Sequence, residues 1–251
     1  MLIYSFITDY QAFNLRYKDN TTRDKNETKV DKQSANLGKN NEPIQNRLSF
    51  LIDCKSVILH HLAILSFPMV RPAWDNWWMM TGSAITLSLL ATFLSPGWWR
   101  GMRWNFGQLA LGVVIAVGLW CVFFVGDKVA AWLFDFARSQ VAAIYMMRQG
   151  WSPWLLSALM LVLIGPAEEI FWRGYVQRTL AARWGQSVGF LSATLLYALA
   201  HVGSCNFMLV MAALVAGFVW GGIYRFFPRC FPAIVVSHAL WDAAVFIWFP
   251  I

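Results

Sequence analysis

The sequence predicts an all-α fold, a polytopic transmembrane helical bundle of about six spans. Of its 251 residues, 58% are hydrophobic and 13% are charged, whereas soluble domains average about 45–50% and about 25%. Long apolar runs alternate with short segments that hold Gly, Pro and Arg, as expected of spans joined by loops. A soluble fold is excluded because a chain of this length does not enclose a core large enough for so much apolar surface.

The chain begins with a part unlike the rest. Residues 1–48 are rich in Asn, Lys, Asp and Thr, which predicts a disordered polar tail. Residues 49–76 are weakly apolar but carry charges and two histidines, so an interfacial helix or linker fits better than a span. Met69 is a candidate alternative start, since the composition changes there. The transmembrane domain is predicted to cover residues 77–250.

The first spans are marked by their ends. A first span over residues 77–94 stops at Ser95-Pro96-Gly97, a strong turn signal. A second is predicted over residues 106–125, ended by the charges of Asp127 and Lys128. Residues 129–147 mix polar and apolar side chains, which predicts an amphipathic stretch lying in the membrane interface.

A third span is predicted from Ser152-Pro153, since Ser at the N-cap and Pro at the first helical position favour a helix start. It carries a Glu pair near its end and is expected to continue as an amphipathic arm to Gly185. Three further spans are predicted over residues 187–201, 207–226 and 231–249.

Charge and cysteine content exclude other classes. The net charge is +7, but the basic residues lie mainly at the ends of apolar runs, so they indicate topology and not nucleic-acid binding. The cysteines form no CxxC pair, so we expect buried free thiols and no disulfide or zinc framework. These cysteines are Cys54, Cys121, Cys205 and Cys230.

The third span carries the ionisable residues that need an explanation. Charges inside a membrane cost roughly 2.5–3.5 kcal/mol each at a helix centre, so they indicate a functional site. Glu169 and Arg173 are four residues apart, in the order that favours a helical ion pair. Glu168 lies about 100° around the helix and is left to face elsewhere. One carboxylate is thus predicted to support the site and the other to work in it.

His201 is the predicted partner of Glu168. Glu168 lies 17 residues before Gly185 and His201 lies 16 residues after it. In an antiparallel pair of helices turning at Gly185, both are about 24–26 Å from the turn at 1.5 Å per residue. They are therefore expected at the same depth, with Tyr197 on the same face as His201.

The last span carries His238 and Asp242, again four residues apart on one face. Counted from Pro232, their depth does not match that of Glu168 and His201. Three polar sets in neighbouring spans nevertheless predict one shared site.

These motifs carry a family resemblance. Glu-Glu-x-x-x-Arg over residues 168–173, Tyr197-x-x-x-His201 and His238-x-x-x-Asp242 resemble the signature of the CPBP group. These are the CAAX-protease and bacteriocin-processing membrane peptidases, related to the type II CAAX prenyl endopeptidase. Tyr197 stands where Phe is common, and Asp242 where Asn is common. An ionised Asp does not donate a hydrogen bond, which Asn would.

The resemblance implies peptide-bond hydrolysis within the membrane, in the processing of a prenylated protein, a leader peptide or a C-terminal signal. Glu168 and His201 would activate a water, His238 and Asp242 would stabilise the oxyanion, and Glu169, Arg173 and Tyr197 would support the site. The peptidase would be either glutamate-type and free of cofactors or metal-dependent, with zinc held by Glu168, His201 and His238. The helical His-Glu-x-x-His motif is absent.

Two residues after His201 allow different roles. Cys205 lies four residues from His201 and is an alternative nucleophile in a Cys–His dyad. Asn206 is interpreted as a helix-capping or turn residue, with a place in the polar site as the alternative.

Other classes of function remain in competition at this point. The alternative to the peptidase is a non-catalytic immunity or scaffold protein on the same fold. A transporter or proton relay also uses buried Glu and His, but the expected paired repeats and broken helices are not visible. The expected partners are a membrane-associated peptide or protein substrate and the lipid bilayer, with no nucleic acid. The expected location is the bacterial inner membrane.

Overall fold

The computed structural model describes residues 73–251, apart from residues 96, 98, 100 and 101, with side chains from Trp77 onward. All regular elements in this part are helical, which confirms the predicted fold class. Among the described residues, six helices are long and apolar enough to cross a membrane. The helices are α1 (Ala73–Leu94), α2 (Phe106–Leu133), a short α3 (Ala137–Met146), α4 (Pro153–Trp184), α5 (Gln186–Ala200), α6 (Phe207–Phe226) and α7 (Phe231–Ala243).

Some predictions fall on other residues. The predicted polar tail over residues 1–48, nearly all of the predicted linker over 49–76, Met69 and Cys54 lie outside the described residues. The predicted transmembrane domain over residues 77–250 falls on the described part.

Helix α2 is longer than predicted. It continues past Asp127 to Leu133, so the prediction that the second span ends at residue 125 is wrong. The carboxylate of Asp127 lies 3.1 Å from both Lys128 Nζ and Arg138 Nη1, so these charges are paired and need not end the helix. The chain leaves the helix at Phe134, which has extended backbone angles. The predicted amphipathic stretch over residues 129–147 is therefore divided between the end of α2 and α3.

Helix α3 is tied to the start of α6. The backbone carbonyl of Gln140 accepts a hydrogen bond from Asn206 Nδ2 at 2.8 Å, and its side-chain oxygen accepts from the amide of Met208 at 3.0 Å. Asn206 Oδ1 accepts from the Leu209 amide at 2.9 Å, which caps α6. The predicted capping role of Asn206 is confirmed.

Helix α4 is one continuous helix of 32 residues, and its hydrogen-bonding pattern changes from α to π at two places. A π-helical turn spans Met160–Ile164 and another spans Trp172–Gln177, on either side of an α-helical stretch, Gly165–Phe171. Single π turns inside α-helices frequently occur at functional sites. The Glu pair lies between these turns, near the middle of the helix. The helix continues beyond the pair and ends at Gly185, as predicted.

The second half of α4 is buried, so the predicted amphipathic arm is wrong there. Arg173 and Gln177 are each only 2% exposed. Gln177 Nε2 donates to the carbonyl of Gly221 on α6 at 2.8 Å. Polar side chains face the protein interior in this stretch because α6 supplies backbone acceptors for them.

Glycines bring α7 against its neighbours. A Cβ at Gly112 of α2 would come within 2.7 Å of Val236, and a Cβ at Gly165 of α4 would come within 2.7 Å of the Ala239 Cα. The missing side chains therefore allow α7 to pack directly on α2 and α4. This contact fixes the depth of His238, next to Ala239, relative to the Glu pair.

The outer surface is apolar, as lipid contact requires. Helix α2 exposes Val117, Val122 and Val125, and Cys121 is exposed among them. Cys121, Cys205 and Cys230 are free thiols as predicted, but Cys121 and Cys205 are exposed, so their predicted burial is wrong. On a helix that faces lipid, a thiol avoids water without being covered by protein.

Candidate active site

Glu169 lies at the centre of a sealed polar cluster. Its side chain is 0% exposed, and its Oε1 accepts hydrogen bonds from Arg173 Nη1 at 2.7 Å and from His238 Nδ1 at 2.6 Å. The predicted Glu169–Arg173 pair is therefore present. The structure adds His238 from α7, although the sequence did not match its depth.

Arg173 is held from several sides. Its Nη2 donates to the carbonyl of Gly217 on α6 at 3.3 Å. Its guanidinium carbon lies 5.1 Å from the ring centre of Tyr197 and 5.6 Å from that of Trp220. A buried cation is tolerated where a paired carboxylate, a carbonyl and aromatic faces replace water.

His238 is almost fully enclosed, with 2% of its surface exposed. Its ring stacks on Trp220 with centres 3.9 Å apart and an interplanar angle of 19°. Since a carboxylate only accepts, His238 Nδ1 carries the proton in the bond to Glu169. Its Nε2 lies 3.4 Å from Asp242 Oδ2 and 3.8 Å from Glu168 Oε2. Three carboxylates thus surround one imidazole.

Glu168 is the accessible carboxylate of the pair, with 18% of its side chain exposed. Its Oε2 accepts a hydrogen bond from the Tyr197 hydroxyl at 2.9 Å. Among the described residues, no hydrogen bond occupies its Oε1. Glu168 is thus fixed through one oxygen, and the other is available to a further molecule.

His201 lies just after the end of α5, with its ring 5.1 Å from that of Tyr197, edge to face. Its Nδ1 is 2.8 Å from the Tyr197 carbonyl oxygen. A carbonyl only accepts, so Nδ1 carries the proton and Nε2 is the acceptor of the neutral imidazole. Among the described residues, no hydrogen bond links His201 to Cys205, which the dyad alternative requires.

Glu168 and His201 line one pocket, as their equal distance from Gly185 predicts. The pocket has room for a water molecule. Trp172 of α4 forms part of its wall. Helix α1 contributes a complete face that the sequence analysis did not assign to the site, namely Met80, Ser83, Ala84 and Leu87.

Sequence reasoning missed other neighbours of the site. Gly217 and Gly221, four residues apart on α6, offer their carbonyls to Arg173 and Gln177. Such small-x-x-x-small spacing predicts close helix contact in membranes and was the available signal. Trp220, which stacks on His238, carries no comparable signal because it is one apolar residue among many.

The arrangement of the possible metal ligands tests the zinc alternative. Within the described part of the chain, no group of three His, Cys, Asp or Glu side chains lies together as a candidate set of metal ligands. Glu168 and His238 approach each other, but His238 Nδ1 is already engaged by Glu169. The residues present therefore do not fit the zinc site of Glu168, His201 and His238, and no step is derived through a metal.

Comparison with known proteins supplies the family. Residues 149–244 match a family described as type II CAAX prenyl endopeptidase Rce1-like. This part of the chain is similar to the Rce1-like family. The match spans α4 to α7 and contains every predicted site residue, whereas α1 and α2 lie outside it. No curated protein and no solved structure matches the chain.

The Rce1-like match confirms the resemblance to CAAX proteases of the CPBP group. Together with the six apolar helices, it identifies an integral multi-pass membrane protein. Intramembrane CAAX-protease activity is the general class of function that the family supports.

Proposed function

We propose that the protein is an intramembrane endopeptidase that hydrolyses a peptide bond with a water activated by Glu168 and His201. The observation that carries this proposal is their shared pocket, which has room for water and is otherwise mainly apolar. Glu168 Oε1 and His201 Nε2 are the two acceptors available to such a water.

The reaction follows from general base catalysis. The Glu168 carboxylate takes a proton from the water as its oxygen attacks the carbonyl carbon of the substrate. The carbonyl electron pair moves to oxygen and forms an oxyanion. When the intermediate collapses, the C–N bond breaks and the proton passes from Glu168 to the leaving nitrogen. The products are an amine and a carboxylic acid, which loses the second proton of the water to solvent, and Glu168 is regenerated.

His238 is the proposed donor to the oxyanion, and Asp242 is the proposed counter-ion of its imidazolium. His238 Nε2 faces Glu168 and Asp242, so it lies on the side of the ring where the intermediate would form. Nε2 donates a hydrogen bond only when the imidazole carries both protons, because Nδ1–H is committed to Glu169. Asp242 then balances that charge at 3.4 Å, and as a carboxylate it does not replace the donor that Asn would supply.

Glu169 and Arg173 are proposed to hold this arrangement. The pair fixes His238 through Nδ1 and anchors α4 to α6 through Gly217. Preorganised groups of this kind stabilise a developing charge without reorganising during the reaction.

The substrate class is a membrane-associated peptide or protein with a CAAX-like, lipid-modified end, in keeping with the family. Purified protein in liposomes should cleave a quenched fluorescent peptide that ends in a prenylated CAAX sequence. Glu168→Gln keeps the size of the side chain but removes the base, so cleavage should fall by about 10²–10⁴-fold. Undiminished cleavage by Glu168→Gln would rule out this mechanism.

The same assay separates the alternative readings. No cleavage by the wild-type protein, together with binding of the labelled peptide, would favour the non-catalytic scaffold. We also propose that hydrolysis is metal-free, which the lack of a three-ligand group among the described residues supports. Activity should therefore survive treatment with chelator, and metal analysis of the active protein should find less than one equivalent. Chelator inactivation that added zinc reverses would contradict this.

A further inference from the structure

Ser83 has an unpaired hydroxyl in an unusual place. The residue is 5% exposed, and its Oγ is buried without a hydrogen-bond partner in the structure. Most buried hydroxyls in folded proteins are paired, so an unpaired one points to a partner that is not a protein atom. Leaving such a group unpaired costs about 1–3 kcal/mol.

Ser83 lines the pocket that holds Glu168 and His201. The other residues of that pocket are apolar, namely Met80, Ala84, Leu87, Ile164 and Trp172. Ser83 is therefore the third polar side chain in a space of water size. Buried waters typically make about three hydrogen bonds and need several polar partners. Glu168 and His201 supply two.

We propose that the Ser83 hydroxyl makes the third hydrogen bond to the water that Glu168 and His201 activate. This inference rests on the proposed function. Glu168 Oε1 and His201 Nε2 both accept from that water, so both of its protons are engaged. Ser83, a donor, is the complementary partner for a lone pair of the water oxygen. Its hydroxyl thereby orients the water, and it leaves this lone pair when the oxygen attacks the carbonyl.

The proposed role of Ser83 depends on a helix that lies outside the segment matching the family. Ser83 lies on α1, outside residues 149–244 that match the family. Helix α1 packs against α4, with Trp77, Ala84 and Ile164 in one apolar cluster. The packing of α1 on α4 thus supplies a polar group that the matched segment does not contain.

The proposal predicts different effects on stability and on turnover. Removing the Ser83 hydroxyl breaks no hydrogen bond within the protein, so the fold should keep its stability. Removing a partner of the reacting water lowers kcat. A side chain that acts only in packing would not separate these two quantities.

Thr81 provides a matched control on the same helix. Its Oγ1 is also buried without a partner, but Thr81 is not among the residues of the pocket. Thr81→Val removes that hydroxyl with little change of shape. It should leave kcat within about twofold of wild type, with an equal or higher Tm.

The experiment measures kcat, KM and Tm in detergent or liposomes for wild type, Ser83→Ala and Thr81→Val. For Ser83→Ala we expect a fall in kcat of about tenfold, as for the loss of one hydrogen bond in the transition state. KM should be unchanged, because the water is bound whether or not the substrate is present. Tm should be equal to or above that of wild type.

Wild-type kcat in Ser83→Ala overturns the proposal. A fall in kcat that comes with a lower Tm, or that Thr81→Val reproduces, also overturns it, since the hydroxyl would then act through the fold. Labelling by a fluorophosphonate that is lost in Ser83→Ala would make Ser83 a nucleophile and overturn it as well. Glu168→Gln distinguishes the two proposals. If it is inactive while Ser83→Ala is fully active, only the role of Ser83 fails, and if it is fully active, the proposed function fails.

Discussion

The polar centre has two halves built from similar side chains in different surroundings. The sealed half consists of Glu169, Arg173 and His238, with side chains 0–3% exposed. The open half consists of Glu168, Tyr197 and His201, and here the carboxylate is 18% exposed and lines a pocket. The carboxylate of the sealed half binds two cationic or basic partners. The carboxylate of the open half accepts a hydrogen bond from one hydroxyl, and its second oxygen remains available.

The difference shows how adjacent residues on one helix come to lie in different surroundings. Glu168 and Glu169 are the same residue type on one helix, separated by about 100° of rotation. That rotation turns one toward α6 and α7 and the other toward α1 and α5. We therefore expect changes in the sealed half to act first on stability and changes in the open half to act first on turnover. The following tests address that division.

The largest effect on stability is expected for Arg173→Met. It removes the cation and leaves Glu169 buried without its main partner, which should lower the free energy of unfolding by about 3–5 kcal/mol. Thermal unfolding in detergent measures this. The double variant Arg173→Met with Glu169→Gln should recover part of the loss, because no uncompensated charge is then buried. An unchanged Tm in the single variant would show that this half is not the structural one.

The next effect is expected for His201→Ala, in the open half. Loss of a group that holds and activates the water should lower kcat by about 10²-fold. Tm should change little, because the hydrogen bond of His201 is to the carbonyl of Tyr197 on the same chain segment. Peptide cleavage and thermal unfolding are measured on the same preparation. A Tm loss as large as that of Arg173→Met would remove the distinction between the halves.

A smaller effect is expected for Gly217→Ala, between the halves. A Cβ there would lie 2.9 Å from Tyr197 Cδ1, so the ring would have to shift. Overpacking of this kind costs about 1–3 kcal/mol. Gly118→Ala on α2 is the matched control, since its Cβ would meet nothing within 4 Å. It should be neutral or stabilise by up to about 1 kcal/mol through helix propensity. Equal melting temperatures for the two variants would contradict the close approach.

The smallest effect is expected for Tyr197→Phe. It removes the hydroxyl that donates to Glu168 but keeps the ring beside Arg173 and His201. One hydrogen bond of this kind is worth about 0.5–1.5 kcal/mol, so kcat should fall by about two- to tenfold with the fold retained. Progress curves on the fluorescent peptide measure this. A loss as large as that of His201→Ala would mean that the hydroxyl takes part in the chemistry itself.

The sequence predicted most of the transmembrane architecture. The six spans were recognised because long apolar runs need no tertiary information. Spacing also predicted the Glu169–Arg173 pair, since residues four apart on a helix lie together whatever surrounds them. Glu168 and His201 were predicted to lie at the same depth because they are nearly equally far from Gly185. The rise of a helix per residue is enough for that prediction.

Local patterns failed where charges find distant partners. The charges at Asp127 and Lys128 predict the end of a span, yet Asp127 also pairs with Arg138 and the helix continues. The spacing of polar residues from Arg173 to Gln177 predicts an amphipathic arm, yet acceptors on α6 allow this stretch to be buried. Arg138 and the carbonyls of α6 both lie beyond the window in which helical spacing is informative.

By itself, the sequence determined the helical class and the six apolar spans of the described part, and it predicted that two adjacent carboxylates face different partners. Only the tertiary structure decided that His238 reaches Glu169, that Trp220 covers its ring and that Ser83 lines the pocket. The physical reason is that these contacts depend on how closely whole helices approach. That approach is set at Gly112 and Gly165, where the absence of a side chain lets α7 pack against its neighbours.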